Sequence, residues 1–207
     1  MKSMNLPKMS TVKPIFKTSE SRAFTPGRNI LNQNFNVSKP NLVWVSDITY
    51  VKVNGSFRYI CVIIDLFSRK VIAYSIGSKI DKQLVIKTFY SAFDKRNKPS
   101  NLIFHSDRGS QYTSKDFRKI LDSLNVVQSF SKKGYPYDNA VAESFFKFLK
   151  HEELNRRTFL TTKELELSLF EYIEGFYNKK RPHSANDMLS PSKKEELFFS
   201  SNFNLMQ

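Results

Sequence analysis

Val43-Trp44-Val45-Ser46-Asp47-Ile48-Thr49-Tyr50-Val51-Lys52-Val53-Asn54-Gly55-Ser56-Phe57-Arg58-Tyr59-Ile60-Cys61-Val62-Ile63-Ile64-Asp65-Leu66-Phe67 is the stretch that decides the fold. Two runs rich in β-branched and aromatic residues flank Asn54-Gly55, a pair suited to a type I′ turn because both positions take positive φ. A two-residue turn sets Val53 against Ser56, Asp47 against Val62, and Asp65 near Trp44. One face of the hairpin then carries Val45, Asp47, Thr49, Val51, Ile60, Val62 and Ile64. The other carries Trp44, Ile48, Tyr50, Phe57, Tyr59, Cys61 and Ile63. Both faces are apolar, so the sheet is expected to be covered on both sides.

Working outward, Val71 to Ile76 reads as a third strand. A helix follows from about Asp81 to Arg96, with Leu84, Val85, Thr88, Phe89 and Ala92 at helical spacing. Leu102 to Ser106 is a short buried strand, Ser114 to Leu124 a helix capped by Ser114, and Val126 to Phe130 a fifth strand. A loop with Gly134 and Pro136 leads to a helix from about Asn139 to Leu154, and a last long helix runs from about Thr162 to Asn178. The order βββαβαβαα predicts an α/β fold with a mixed five-stranded sheet between helical layers. Residues 1–40, punctuated by Pro7, Pro14, Pro26 and Pro40, read as a basic, largely extended arm, either a solvated tail or a DNA-contacting segment. Its one apolar patch, Asn29 to Phe35, is a candidate for docking on the domain. Residues 41–185 form the core, and 186–207 a C-terminal tail.

The chain has 207 residues, enough for one substantial domain, and carries a net charge of +14. Residues 1–40 hold +6 of that, 41–143 hold +7 and 144–207 only +1. A basic field of this size points to a polyanion, nucleic acid before an anionic membrane surface. Cys61 is the only cysteine, which excludes an intrachain disulfide and fits a reducing compartment. No run approaches the ~20 apolar residues of a membrane span and no signal-peptide pattern opens the chain, so a cytosolic protein is expected.

Three acids do not suit their surroundings. Asp47 interrupts a strong strand pattern, where Asp is disfavoured. Asp107 closes the apolar run Leu102-Ile103-Phe104. Glu143 sits on a helix of apolar and small residues, sharing a face with Asn139, Phe146 and Lys150, whereas Val141, Phe145, Phe148 and Leu149 form the core-seeking face. Singly, each acid reads equally well as a turn or surface residue. Gathered in one cleft they would repel one another, and a divalent cation relieves that repulsion; hard oxygen ligands suit Mg²⁺ or Mn²⁺. Two such ions roughly 3.5–4 Å apart can activate an attacking oxygen and stabilise a leaving one at a phosphodiester.

Three segments carry a family resemblance: Trp44-Val45-Ser46-Asp47-Ile48-Thr49-Tyr50, His105-Ser106-Asp107-Arg108-Gly109-Ser110-Gln111-Tyr112, and Tyr137-Asp138-Asn139-Ala140-Val141-Ala142-Glu143-Ser144-Phe145-Phe146. They resemble the acidic motifs of bacterial insertion-sequence transposases, above all the insertion-sequence-three family. Between Asp107 and Glu143 lie 35 residues, the spacing of the Asp-Asp-35-Glu class shared with retroviral integrases. Lys150 also matches, as does Tyr177-Asn178-Lys179-Lys180-Arg181-Pro182-His183-Ser184 followed by Ser190-Pro191. The resemblance implies a ribonuclease H-like fold and a catalytic, metal-holding triad of Asp47, Asp107 and Glu143. It also implies 3′-end cleavage and strand transfer of an insertion sequence, with work as a homo-oligomer on DNA. Family members usually carry a helix-turn-helix segment that finds the transposon ends. Residues 1–40 are too short and Pro-rich for one, so an upstream-frame partner or segment is implied.

Around the triad, Lys150, Lys132, Lys133, Arg108, Asn139, Lys180 and Arg181 are candidate DNA contacts. The alternatives are ordinary solvated lysines for Lys132 and Lys133, a helix cap for Asn139, and helix-dipole partners for Lys180 and Arg181. His105, two residues before Asp107, is either a packed histidine or a residue orienting Asp107 or a phosphate. Asp65 faces away from Asp47 in the pairing above, which favours a structural role. Two rival functions are a truncated, non-catalytic regulator of a full-length transposase and a ribonuclease H-type nuclease on RNA–DNA hybrids; the helix from Glu143 to Lys150 and the 35-residue spacing disfavour the second.

Overall fold

The computed structural model describes residues 28–132 and 134–204. Strands β1 (Val43–Val53) and β2 (Ser56–Asp65) form the expected hairpin, with Asp47 opposite Val62 and Trp44 opposite Asp65. Asn54 and Gly55 both have positive φ, 45° and 77°, as a type I′ turn requires. Strand β3 (Val71–Gly77) adds antiparallel to β2, with a register shift at Ile63/Ile64. Helix α1 (Lys82–Lys95), capped by Asp81, leads to β4 (Ile103–Ser106). Helix α2 (Lys115–Ser123), capped by the Ser114 hydroxyl, leads to β5 (Val127–Phe130). Both late strands are parallel to their neighbours, giving a mixed sheet in the order β3-β2-β1-β4-β5.

The double-sided burial follows from the pleat. Trp44, Cys61, Ile63 and Ala73 pack with Leu84, Val85, Phe89, Phe117 and Leu121 from α1 and α2. Val45, Ile60, Val62 and Ile64 pack on the opposite side, under helices α3 (Ala140–Glu152) and α4 (Thr162–Phe170). Coverage fails at the outer end of the hairpin, where Tyr50 and Phe57 are 55% and 44% exposed although their face was expected to be covered. Helix α1 shields the half of the sheet nearer Trp44 and leaves that end bare.

The helices bring further corrections. Phe146, expected on the face of Glu143, is buried with Ala142, Phe145 and Leu149, while Phe148 is only half-buried. The single helix expected over 162–178 is α4 followed by a π-helical stretch, Glu171–Tyr177. Leu165, Leu169, Ile173 and Tyr177 are all buried, at strict four-residue spacing. In an α-helix of 3.6 residues per turn such a stripe drifts about 40° per step; the wider i to i+5 turn keeps Ile173 and Tyr177 inward.

Where a tail was expected, residues 191–204 form helix α5 (Pro191–Asn204). It is fastened by Glu195, 4% exposed, which accepts hydrogen bonds from Arg96 (2.6 and 3.1 Å), Lys70 (3.1 Å) and Ser68 (2.8 Å). At the other end, Leu31 is buried in the core beneath α3, and Phe35 packs against it. The docking of the 29–35 patch is therefore real; residues 1–27 of the arm lie outside the described residues. Among the described residues no helix is long and apolar enough to cross a membrane.

Candidate active site

The topology brings Asp47, in the middle of β1, beside the end of β4. These strands are parallel neighbours, paired at Val43–Ile103, Trp44–Phe104 and Val45–His105, so Asp47 and Asp107 are the same two steps beyond Val45 and His105. Parity puts both on one face. Helix α3 crosses that face and carries Glu143 in its first turn, solvent-exposed.

Each aspartate is held locally. Asp47 Oδ1 accepts a hydrogen bond from the Ile48 amide (2.8 Å), and Asp107 Oδ1 accepts one from the Gly109 amide (2.9 Å). Burial pushes the Asp47 carboxyl up to about 7 against that local bond; the Asp107 and Glu143 carboxylates add to the rise and Lys150 opposes it. Asp107 is likewise raised by burial, with the Gly109 amide opposing. The three carboxylates therefore share one electrostatic environment, with Lys150 the cation that acts on it. Among the described residues no three carboxylate, histidine or cysteine side chains stand close enough to hold one metal ion. The donor set nevertheless suits a hard divalent cation: carboxylate oxygens only, mutually repelling, on a frame fixed by two strands. Glu143 is exposed, with its side chain unpinned by any backbone amide in the way the two aspartates are.

Two residues that bind the frame together were not singled out by sequence. The Tyr112 hydroxyl, fully buried, hydrogen-bonds the Ser46 hydroxyl (2.8 Å), which donates to the Val62 carbonyl (2.8 Å). This joins the loop after Asp107 to the residue before Asp47. Asp138, 1% exposed, accepts hydrogen bonds from the Lys132 amide (2.7 Å), Asn29 Nδ2 (2.7 Å) and Gln33 Nε2 (2.8 Å). Burial pushes its carboxyl up, yet these donors and the nearby His105 and Lys132 leave it below the usual carboxylate range. It thus clamps the N-terminal segment to the loop that delivers Glu143. An acid immediately before a helix was the available signal; its partners a hundred residues away were not legible.

The remaining candidates divide. Asn139 makes no cap; its Nδ2 donates to the Ser46 carbonyl (3.1 Å), tying α3 to β1 beside Asp47, and its Oδ1 is buried without a partner. Both ring nitrogens of His105 go to serine hydroxyls, Nδ1 to Ser129 (2.9 Å) and Nε2 to Ser131 (3.2 Å). Burial lowers its pKa to about 4. Asp65 accepts the Asn41 and Phe67 amides (2.8 and 2.9 Å), fully buried at the turn after β2. Arg108 donates to the Ser131 carbonyl (2.8 Å) and remains exposed, as do Lys132 and Lys180. Arg181 is committed: its guanidinium forks onto Glu152 (2.7 and 3.1 Å) and lies over the Phe148 ring (3.9 Å). Lys133 lies outside the described residues.

Two family descriptions match, both of an integrase core domain, over residues 37–136 and 124–191. The chain is 42% identical, over 168 residues and 81% of its length, to the transposase for insertion sequence element IS904 of Lactococcus lactis subsp. lactis strain IL1403. It is 38% identical, over 189 residues and 86% of its length, to transposase InsF for insertion sequence IS3A of Escherichia coli strain K12. It spans 66% of each relative, just short of two thirds. Among solved structures, the HTLV-2 integrase catalytic core domain in complex with magnesium superposes with a TM-score of 0.59 at 19% identity, covering 76% of this chain and 97% of that one. That likeness concerns the fold, and the five-stranded mixed sheet is the ribonuclease H-like one expected.

Proposed function

The chain belongs to the integrase-core family of insertion-sequence transposases, and on that premise we propose that it catalyses 3′-end cleavage and strand transfer of an insertion sequence. What supports this reading is the placement of Asp47 and Asp107 two steps beyond paired residues of neighbouring parallel strands, with Glu143 on the first turn of the helix packed against β1. The reaction is phosphoryl transfer in two displacements. Water attacks the phosphorus at the transposon end, the P–O3′ bond breaks and a 3′ hydroxyl is freed. That hydroxyl then attacks a target phosphodiester, forming a new P–O bond as the target's own 3′ oxygen leaves.

Asp47, Asp107 and Glu143 would hold divalent metal, Mg²⁺ or Mn²⁺ and two ions in our reading; when bound, the metal supplies charge to the attacking and leaving oxygens. The solved HTLV-2 core was obtained with magnesium, which supports the choice. The protein's own part is placement. The Ile48 and Gly109 amides fix the two aspartates, and Asn139 and Tyr112 hold β1 against α3 and the loop after Asp107. Lys150, beside the acids, would bind a phosphate and offset its charge. Arg108, Lys132, Lys133 and Lys180 would extend that contact. His105, bonded to Ser129 in β5 and to Ser131 just beyond it, would brace the end of β4 under Asp107. The protein would act on DNA in the cytoplasm as a homo-oligomer, with end recognition supplied by an upstream helix-turn-helix segment or partner.

The test is a joining assay with the full chain, pre-cleaved DNA mimicking transposon ends, and Mn²⁺ or Mg²⁺. Joined product from the wild type and none from Asp107→Asn is expected. Product formed equally by both proteins overturns the reading.

A further inference from the structure

Beyond the acidic cleft, the outer end of the β1–β2 hairpin carries an open groove. Tyr50, Val51, Lys52, Phe57, Lys150, Leu154, Asn155 and Arg157 line it. Two large aromatic faces stand in water there, against the rule that such surface is normally covered. They are organised: the rings of Tyr50 and Phe57 meet edge to face with centroids 5.2 Å apart. Cations are placed over them, the Lys150 ammonium 4.9 Å from the Tyr50 centroid and the Lys52 ammonium 5.7 Å from that of Phe57. Arg157 closes the far side, bonded to Glu153 (2.9 Å) yet 53% exposed. None of the lining residues is acidic.

The groove adjoins the cleft. Lys150 rides the helix that carries Glu143, two turns on, and lies over the Tyr50 ring, so that helix borders both. Strand β1 pairs with β4 only at Val43 to Val45 and so runs past it. Tyr50 lies three residues beyond Asp47, about 10 Å along the strand and on its other face; with β4 ended, that edge of β1 is unpaired and a nucleic-acid strand of three base steps can pass around it.

We propose that this groove binds single-stranded DNA: unpaired nucleotides running on from the acidic cleft, with bases stacked on Tyr50 and Phe57 and phosphates on Lys52, Lys150 and Arg157. Two features favour this occupant. Cations interleaved with ring faces match a sugar–phosphate strand with exposed bases, whereas a duplex hides its base faces. The charged residues of the lining, Lys52, Lys150 and Arg157, are all basic, which matches a polyanion better than a second, equally basic copy of this chain. The proposal rests on the reading of the chain as a DNA enzyme and adds to it a place for unpaired strand.

The test is equilibrium binding of a fluorescent dT12 oligonucleotide and of a 12-base-pair duplex to the full chain, in EDTA, so that no reaction is needed. Tyr50→Ala and Phe57→Ala should each weaken dT12 binding at least fivefold, as the loss of one stacking platform implies. Duplex affinity should change less than twofold, and Tyr50→Phe should retain wild-type affinity for dT12. Unchanged dT12 binding, or an equal loss on both DNAs, overturns the proposal. So does an altered sedimentation coefficient in the alanine variants with unaltered DNA binding, since that assigns the groove to a second copy. The joining assay above fails or succeeds independently of these titrations, which separates this proposal from the enzymatic reading.

Discussion

Glu143 differs from Asp47 and Asp107 in its freedom, being exposed on a helix while they are pinned by backbone amides. That makes it the acid whose charge can be removed with least structural effect. Glu143→Gln should abolish joining, a loss of at least 100-fold, while DNA binding stays within about twofold and the melting temperature is unchanged; wild-type joining by this variant would remove Glu143 from the chemistry. Lys150 is the complementary case. Lys150→Ala should weaken DNA binding across sequences and lower the salt slope by about one unit, as for one lost phosphate contact. An unchanged slope would leave Lys150 as a lid on the Tyr50 ring. The three acids stand out in sequence because each is an ion in apolar company, and Lys150 because it shares the helix face of Glu143. Tyr112 and Asp138 were not, because their meaning lies in Ser46, Asn29 and Gln33, partners that only the folded chain supplies.

The strands and early helices were readable because their period and their turns agree, down to Asn54-Gly55 and the Ser114 cap. The C-terminal elements were less so. Helix α5 carries Lys193-Lys194-Glu195-Glu196, which reads as a solvated charge run; only the fold brings Arg96 and Lys70 to Glu195. Its docking should be sensitive to that one carboxylate. Glu195→Ala leaves Arg96 buried without its partner, which costs about 3–5 kcal/mol and should lower the melting temperature by roughly 10 °C. Burial pushes the Glu195 carboxyl up, but Arg96, Lys70 and Ser68 outweigh it and leave the group below its usual value. The stability it contributes is therefore present above the unfolded value near 4.5 and is lost as pH falls below it. Thermal melts of both proteins at pH 7 should show the difference; identical curves would mean that α5 is held by the Phe67–Phe198 contact instead.

At the scale of the molecule, acidity reaches the fold through two buried or half-buried histidines, His105 and His183, of which His183 lies away from the acids. Burial lowers its pKa to about 4, and Arg69 and Arg181 add to the effect, so it is neutral in the native state at pH 7. An unfolded histidine takes up a proton near 6.5. Stability should thus be full above pH 6.5 and decline as pH falls toward 4, by about 1–2 kcal/mol at pH 5 for this group. His183→Gln should flatten that part of the urea midpoint–pH curve; an undiminished slope would assign it to other groups. The overall architecture was legible because the order of elements along the chain and double-sided burial are written into local pattern. Where the body begins was not. Composition changes at residue 40, yet Leu31 is in the core and Asn29 and Gln33 grip Asp138. Whatever is joined ahead of residue 28 consequently enters the domain at a fixed pivot beside the loop that leads to Glu143. Its reach is then set by its length from that pivot, so a tug on the leash would be felt first by the loop that presents Glu143.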